Sequence, residues 1–416
     1  MVRVRFIRLC LLAIAPLLGL LGGGCTKAID LPGERDLARA SPGMLYSIEP
    51  VGGYPALVLR ALIWWRGSSD TFPTQYGISM YRVRYWTTGA DASLTVASGL
   101  VAFPRADRLR GVVSFQHGTA SQRTSAPSTP DPSNGVLAAA AFAGRGFLLV
   151  APDYVGLGES IERHPYLHAE SEADSVVDLL RAAREVVAGA GRVWPDVLFL
   201  VGFSQGGHAT LAAQRSLEAA PIDGLTVTAA ASIAGPFDLA AVSFPFALEG
   251  HSSASSLYLA YMVGAYANIY GEALDSAFRE QYASKVPNLF DGEHDGDAIE
   301  VSLPVHPREM FRDDFLQTYA SGQSNWLRER LIENSLYEWS PRAPVRLYFG
   351  ALDGDVSPRE AEVEAGRLRA RGGNVETVNV GAVDHEGSVL AAVPLVLAWF
   401  DELAGVADDP RGGRGK

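Results

Sequence analysis

The chain has 416 residues, of which 48% are hydrophobic and 20% charged, and its formal net charge is −12. This length is sufficient for one large hydrophobic core, with or without an inserted subdomain. No long run of lysine and arginine follows the first residues, which argues against a nucleic-acid partner.

The first 24 residues have the composition of an export signal. Arg3, Arg5 and Arg8 precede an apolar stretch that ends in small residues immediately before Cys25. This order predicts a bacterial lipoprotein signal peptide at residues 1–24, with Cys25 as the lipidated N-terminus. Ordinary cleavage and secretion is the alternative, whereas the apolar run is short for a membrane span. We therefore expect an exported protein of the cell envelope that an N-terminal lipid attaches to a membrane.

The predicted elements begin with two β-type segments. Residues 81–88 and 94–104 alternate apolar and polar side chains and contain β-branched residues, which predicts an antiparallel opening of a sheet. Residues 30–75, which are rich in proline and glycine, receive no assignment.

The pattern then changes to apolar runs that alternate with helical segments. Residues 111–118 and 147–158 are apolar runs ending in glycine, and an alanine-rich helical segment at 135–146 lies between them. Residues 171–191 predict an amphipathic helix, with Ser171 as its candidate cap and glycines at its end.

Further apolar runs occupy residues 196–204, 225–238 and 344–355, and residues 205–220 are helical in character. Apolar runs without alternation are typical of strands buried on both faces, and helices between them indicate a parallel sheet. The sequence therefore predicts an α/β fold with a mostly parallel central sheet and helices on both faces.

Residues 239–343 interrupt this alternation with helical segments that are rich in aromatic and aliphatic side chains. Open α/β sheets bind ligands at the carboxyl ends of their strands. An insertion between two parallel strands is thus expected to form a helical cap over that edge. The core would then comprise residues 30–238 and 344–402, and residues 405–416 would be disordered.

The pentapeptide Gly202-Phe203-Ser204-Gln205-Gly206 lies between a predicted strand and a predicted helix. This is the context of a nucleophile elbow, a sharp turn that exposes a serine at the edge of the sheet. Glycines are expected at 202 and 206 because side chains there would collide with neighbouring elements. Ser204 is therefore the candidate nucleophile.

A serine needs a base, and the base needs an orienting acid. His385 lies in a loop between a strand-like segment and the last helix, where the base is expected. His208 belongs to the elbow helix, and its ring cannot easily reach back to the serine. The other histidines after Ser204 lie in the predicted cap, namely His251, His294 and His306.

Asp353 is the favoured acid because it follows the strand that ends near Gly350. Asp355, two residues later, and Asp238, at the end of the preceding strand, remain alternatives. Asp238 would otherwise cap the first helix of the insertion, and Asp355 would otherwise brace its own loop.

The negative oxygen of a tetrahedral intermediate needs preorganised N–H donors. The backbone of Gln205, the residue after the nucleophile, is one candidate donor, and Thr119, after the run that ends at Gly118, is the second. His117 is expected to shape the same loop.

The segments "QHGT", "PDYVGLG", "GFSQGG" and "AGPFDL", together with the acid and histidine loops, resemble the secretory-lipase-like esterases and lipases of the α/β-hydrolase superfamily. The resemblance runs from about residue 80 to residue 402. It implies hydrolysis of acyl esters by a serine triad without a cofactor, with His117, Gly118 and Tyr154 at the substrate. The lipoprotein-like leader and the lack of a cysteine pair after it depart from the family pattern.

These residues predict a serine esterase or lipase that acts on a small-molecule or lipid acyl ester. Acyl transfer or peptide hydrolysis by the same triad is the alternative, and a non-catalytic envelope lipoprotein that binds a partner is a third interpretation. An apolar acyl or aryl group is suggested by aromatic and apolar residues of the predicted cap, including Tyr258, Tyr261, Met262, Tyr266 and Trp326.

No metal site is predicted. His164 and His168 are four residues apart, but Pro165 between them disfavours a regular helix. Residues 291–300 begin like a calcium loop, yet Ser302 stands where the bidentate glutamate belongs.

Overall fold

The computed structural model describes residues 40–65, 74–129, 135–222 and 224–405. The predicted signal peptide, Cys25 and nearly all of the predicted disordered tail lie outside these ranges. Among the helices within them, none is long and apolar enough to cross a membrane.

Nine strands of the described residues form one sheet in the order β1-β2-β3-β5-β4-β6-β7-β8-β9. The strands are β1 Leu45–Tyr54, β2 Ile78–Thr88, β3 Leu94–Pro104, β4 Val112–Gln116, β5 Leu148–Pro152, β6 Leu198–Phe203, β7 Val227–Ile233, β8 Val345–Phe349 and β9 Val375–Asn379. Pairing is antiparallel from β1 through β3 to β5 and parallel across the remaining strands. The predicted antiparallel opening and parallel core are confirmed.

Helices cover both faces of the sheet. Those of the core are α1 Ala56–Trp65, α2 Gly135–Ala141, α3 Ala169–Gly189, α4 Gln205–Ala219, α13 Arg359–Ala370 and α14 His385–Leu403. In β6, Leu198 and Leu200 join the apolar cluster that includes α3, α4 and α13, whereas Phe199 and Val201 join the cluster that includes α1, α2 and α14. A strand with two buried faces must be apolar at every position, which explains its continuous apolar sequence.

Residues 239–343 lie between β7 and β8. After a π-helical turn, Leu239–Ser243, they form α5 Phe244–Glu249, α6 Ser255–Tyr270, α7 Leu274–Ala277, α8 Glu280–Ala283, α9 Val286–Leu289, α10 Gly296–Glu300, α11 Asp313–Ser321 and α12 Trp326–Asn334. This insertion has its own apolar cluster, to which the core contributes Tyr166 and Leu167.

The start of α3 differs from the prediction. The helix begins at Ala169, and the ring of His168 caps it by accepting a hydrogen bond from the backbone N–H of Ser171. Burial lowers the pKa of His168, which favours the neutral ring that can accept this bond. The prediction that Ser171 caps the helix was therefore wrong, because Ser171 lies inside the first turn.

Candidate active site

Ser204 occupies a sharp turn between β6 and α4. Its φ angle is 57°, a left-handed backbone conformation that is strained for serine. A Cβ atom at Gly202 would lie 2.0 Å from the carbonyl oxygen of Gly206, and one at Gly206 would lie 2.0 Å from that of Gln116. Glycine is required at both positions, so the pentapeptide has the geometry that its sequence suggested.

Asp353 and His385 are hydrogen-bonded to each other at the same edge of the sheet. The Nδ1 of His385, the first residue of α14, lies 2.7 Å from Oδ2 of Asp353. The other carboxylate oxygen, Oδ1, accepts the backbone N–H groups of Asp355 and Val356, each at 2.9 Å. Three donors therefore fix the carboxylate of Asp353. The residue is only 5% exposed, so the carboxylate has little contact with water.

His385 lies beside the elbow. Its ring centroid is 4.6 Å from that of Phe203, the residue before Ser204. Among the described residues no hydrogen bond joins the Ser204 hydroxyl to the ring of His385. Such bonds are often long without substrate and shorten in the reacting complex.

The two alternative acids have other partners. Asp238 caps the π-helical turn through the N–H of Ala241 at 2.9 Å and pairs with Nη1 of Arg367 at 2.6 Å. Asp355 accepts a hydrogen bond from the hydroxyl of Tyr258 at 3.3 Å. Of the three aspartates considered from the sequence, the structure brings only Asp353 to His385.

Asp238 belongs to a group that we call the Glu364 cluster, formed by the buried carboxyl groups of Asp238, Glu360 and Glu364 and by the partly exposed Arg367. Glu360 accepts the backbone N–H groups of Phe237 and Asp238 at 3.1 and 3.0 Å. Burial raises the pKa of Glu360 to about 7 and that of Glu364 to about 8. The cluster joins α13 to the first residues of the insertion.

The loop after β4 approaches the nucleophile. A Cβ atom at Gly118 would lie only 3.5 Å from that of Ser204. The next residue, Thr119, bonds through its hydroxyl to that of Tyr166 at 2.8 Å. Tyr166 stacks on Tyr261 with ring centroids 4.5 Å apart, and Tyr261 donates to the carbonyl of Ala120 at 3.2 Å. Two tyrosines therefore hold the loop that contains the predicted second oxyanion donor.

His117 and Tyr154, predicted at the substrate, are buried behind this loop. The hydroxyl of Tyr154 donates to the carbonyl of His117 at 3.2 Å, and Nδ1 of His117 lies 2.7 Å from the carbonyl oxygen of Gly118. Burial lowers the pKa of His117, so the ring is held neutral. Neither side chain lines the pocket at Ser204; both support the loop that does approach it.

A narrow pocket of about 40 Å³ opens at Ser204. It is lined by Tyr166, Leu167, Ser204, Pro236, Ser243, Phe246, Ala247, Tyr258, Met262, Asp355, Val356 and Ser357. Tyr258 and Met262 were predicted to face the substrate. Tyr166 was not predicted at the pocket, because it lies in a loop 38 positions before Ser204 along the chain and no local sequence pattern marks it.

No metal centre is found in the parts of the chain that the structure describes, since no group of three or more His, Cys, Asp or Glu side chains could hold an ion. His164 instead places its Nδ1 2.7 Å from the carbonyl oxygen of Val155.

Residues 133–406 match the profile of the family described as Secretory lipase. By structure, the chain is similar to a candidate hydrolase from Legionella pneumophila, with 27% identity, a TM-score of 0.81, and coverage of 89% of this chain and 100% of the other. A comparison with curated proteins by sequence finds no match.

Two further structures share the fold. The rice cell wall degrading esterase LipA from Xanthomonas oryzae is 24% identical, with a TM-score of 0.77 and coverage of 87% of this chain and 98% of the other. Candida antarctica lipase A in its closed state is 14% identical, with a TM-score of 0.66 and coverage of 88% of this chain and 83% of the other.

Proposed function

Because the chain belongs to the secretory lipase family and is therefore a carboxylic ester hydrolase, we propose that Ser204, His385 and Asp353 form its catalytic triad and that the reaction passes through an acyl-enzyme. The hydrogen bond between Asp353 and His385 beside the strained elbow is the observation that carries this proposal. The bond fixes the tautomer in which Nε2 is free to accept a proton.

In the first half of the reaction, the Ser204 hydroxyl oxygen attacks the ester carbonyl while Nε2 of His385 takes its proton. The carbonyl oxygen becomes negative and accepts hydrogen bonds from the backbone N–H groups of Thr119 and Gln205. Collapse of this intermediate expels the alcohol, which receives the proton from His385. Water then attacks the acyl-enzyme by the same steps, and the carboxylic acid is released.

The pocket favours a small, uncharged acyl group. Its volume of about 40 Å³ is narrow, and its walls are mostly apolar or carry hydroxyl groups. Asp355 is the charged side chain in its lining, and it disfavours an anionic acyl group by repulsion. We therefore propose short-chain acyl esters as substrates, with Tyr166, Tyr258 and Met262 at the acyl chain and with His117, Gly118 and Tyr154 supporting the oxyanion loop.

We also propose that residues 239–343 act as a cap over this pocket and that Cys25 carries a lipid. Membership of a secretory family is consistent with export, whereas the lipid attachment rests on the order of residues before Cys25. The Cys25→Ser variant should move from the membrane fraction to the soluble fraction of the producing bacterium. Retention of this variant in the membrane fraction would contradict lipid attachment at Cys25.

The decisive experiment measures hydrolysis of p-nitrophenyl acetate, butyrate and octanoate by the protein without residues 1–24 and by its Ser204→Ala variant. We expect the variant to lose at least about 10⁴-fold in kcat. A fluorophosphonate should label the parent on Ser204, as located by peptide mass spectrometry, and should not label the variant.

Ser216→Ala provides the matched control, because Ser216 is a partly exposed residue of the same helix α4. It should retain the kcat of the parent and the fluorophosphonate label. A folded Ser204→Ala variant that still turns over these esters would refute Ser204 as the nucleophile.

A further inference from the structure

A buried polar network lies beneath the elbow and is not used by the triad. We call it the Glu172 network; it comprises Glu172, Gln205, His208 and His164. Nε2 of Gln205 donates to Oε1 of Glu172 at 2.9 Å, and Nδ1 of His208 lies 2.6 Å from Oε2 of the same carboxylate. Glu172 is 1% exposed and His208 is fully buried.

The Gln205 amide has both of its hydrogens engaged. The second one points to Nε2 of His164 at 2.8 Å, while the opposite ring nitrogen of His164 donates to the carbonyl of Val155 at 2.7 Å. Burial lowers the pKa of His164 to about 4, so its ring is neutral and Nε2 has a free lone pair to accept this bond. The Gln205 side chain is thereby fixed in one orientation.

His208 connects the network to the insertion. Its Nε2 lies 2.9 Å from the backbone carbonyl oxygen of Asn334, the last residue of α12. A carbonyl oxygen only accepts, so Nε2 carries a hydrogen, and the other ring nitrogen is left for Glu172. The pair of Glu172 and His208 thus joins α3, the elbow helix α4 and the end of the insertion.

These contacts converge on the residue that follows the nucleophile. The backbone N–H of Gln205 is in the first turn of α4, where N–H groups have no partner inside the helix. Its direction depends on how the Gln205 residue is held. A displacement of about 1 Å at a reacting group costs about 10²-fold in rate.

We propose that Glu172 and His208 are positioning residues, which orient the Gln205 backbone N–H toward the oxyanion by anchoring the Gln205 side chain. The inference rests on the proposed function, since it concerns the oxyanion of that reaction. Neither residue touches the substrate; both act through Gln205.

The test compares Glu172→Ala with Asp178→Ala, a buried carboxylate of the same helix α3. Asp178 is 3% exposed and accepts a hydrogen bond from Thr87 of β2 at 2.9 Å, so it is unrelated to the elbow. We expect Glu172→Ala to lower kcat for p-nitrophenyl butyrate by about 10- to 100-fold with little change in KM. Asp178→Ala should keep the kcat of the parent at a temperature where both variants are folded.

The conservative variant Glu172→Gln should restore most of the activity. Its amide oxygen can accept from Gln205, and its NH₂ group can donate to Nδ1 of His208 once that nitrogen has lost the hydrogen that Glu172 accepts in the parent, while Nε2 still donates to Asn334. A role through hydrogen bonds thus predicts rescue by glutamine, whereas a need for the charge itself does not.

A trifluoromethyl ketone supplies a readout that a merely structural role would not change. The Ser204 oxygen adds to its carbonyl, the serine proton passes to His385, and the hemiketal oxygen becomes an oxyanion. Its Ki should rise in Glu172→Ala by the same factor by which kcat/KM falls. An unchanged Ki with a lower kcat/KM would overturn the proposal.

A double-mutant cycle tests the route through Gln205. Gln205→Met keeps the side-chain length and the backbone N–H but removes both amide donors. It should lower kcat as Glu172→Ala does, and the double variant should be no slower than the slower single variant. This variant also keeps the proposal testable should Glu172→Ala fail to fold.

Two outcomes separate this inference from the proposed function. An active parent in which Gln205→Met and Glu172→Ala match Asp178→Ala in kcat overturns the positioning role and leaves the triad in place. A parent that hydrolyses no ester and takes no fluorophosphonate label overturns the proposed function itself.

Discussion

A buried glutamate lies near each end of the elbow helix α4, and the two glutamates differ in their hydrogen-bond partners. At its first turn, both carboxylate oxygens of Glu172 face donors, from Gln205 and His208. Toward its last turns, near Arg215, Glu364 is equally buried, but neither of its carboxylate oxygens has a hydrogen-bond partner among the described residues. Two carboxyl groups with equal burial therefore differ in whether hydrogen-bond donors surround them.

The difference concerns what each buried carboxyl can do for the groups around it. Without donors, the low-dielectric surroundings disfavour the charged form, and the pKa of Glu364 rises to about 8, with the nearby Glu360 adding to the shift. A carboxylate with two donors is instead a rigid acceptor that can orient other groups. The Glu172 network is thus suited to positioning, and the Glu364 cluster to a pH-dependent contribution to stability.

The largest effect is expected when the paired glutamate is removed. Glu172→Ala leaves His208 and Gln205 buried without their acceptor, which should lower the free energy of unfolding by about 3–5 kcal/mol. In Glu364→Ala no group loses a hydrogen-bond partner, so the free energy of unfolding should fall by only about 1–2 kcal/mol through lost packing. Urea unfolding at pH 7 measures both. Equal losses in the two variants would remove the distinction between the clusters.

The free energy of unfolding should depend on pH through Glu364. The folded pKa of Glu364, about 8, lies above the ordinary value of 4.5, so the folded state binds more protons than the unfolded state between these values. Its stabilising contribution is complete below about pH 4.5 and is lost as pH rises through 8, by up to about 1.4 kcal/mol per pH unit. Glu360, with a pKa of about 7, acts in the same direction.

Glu364→Gln should make the unfolding free energy less dependent on pH between 5 and 8, because the amide does not titrate. Urea unfolding at pH 5, 6.5 and 8 provides the comparison with the parent. The conservative variant Asp384→Asn, which changes an exposed carboxylate, serves as the control and should leave the slope unchanged. A slope that Glu364→Gln does not alter would show that Glu364 is not the group that titrates.

A third, smaller effect is expected at the carboxylate that caps α14. The exposed Asp384 immediately precedes the catalytic candidate His385, and its Oδ1 accepts the backbone N–H of Gly387 at 2.8 Å. Asp384→Ala should lower stability by about 1 kcal/mol, whereas Asp384→Asn, also a good cap, should lose only a few tenths. Thermal unfolding of the two variants distinguishes capping from charge. If Asp384→Asn lowered the stability as much as Asp384→Ala, the capping role of Asp384 would be contradicted.

The sequence predicted the parts of the molecule in which local pattern and tertiary role coincide. Strands such as β6 are buried on both faces and read as apolar runs, and the glycines at 202 and 206 are sterically required. β1 and α1 were not assigned, because both lie in the proline- and glycine-rich residues 30–75. β1 is also an edge strand with two irregularities in its register and with glycine and proline inside it.

The Glu172 network could not be predicted, because its members are far apart in sequence and each has an ordinary local explanation. Glu172 reads as an acid in the first turn of a helix, and His164 as a loop residue. Only the packing of α3 against α4 brings Glu172 to Gln205 and His208. Asp353 was favoured over Asp355 and Asp238 by position in the sequence, and the contact with His385 depends on how two distant loops meet.

The smallest effect is expected from an exposed carboxylate with a good partner. Glu376 of β9 pairs with Arg346 of β8 across the strands at 2.8 Å, and their side chains are 60% and 30% exposed. Water solvates both groups when they separate, so Glu376→Gln should change the unfolding free energy by less than about 0.5 kcal/mol. Arg346 also stacks on Trp399 at 4.4 Å, a contact that the variant retains. Urea unfolding at low and high salt measures the effect. A loss at this exposed pair as large as that at Glu172 would mean that partner contact alone, without burial, sets the contribution of a carboxylate to the stability of this fold.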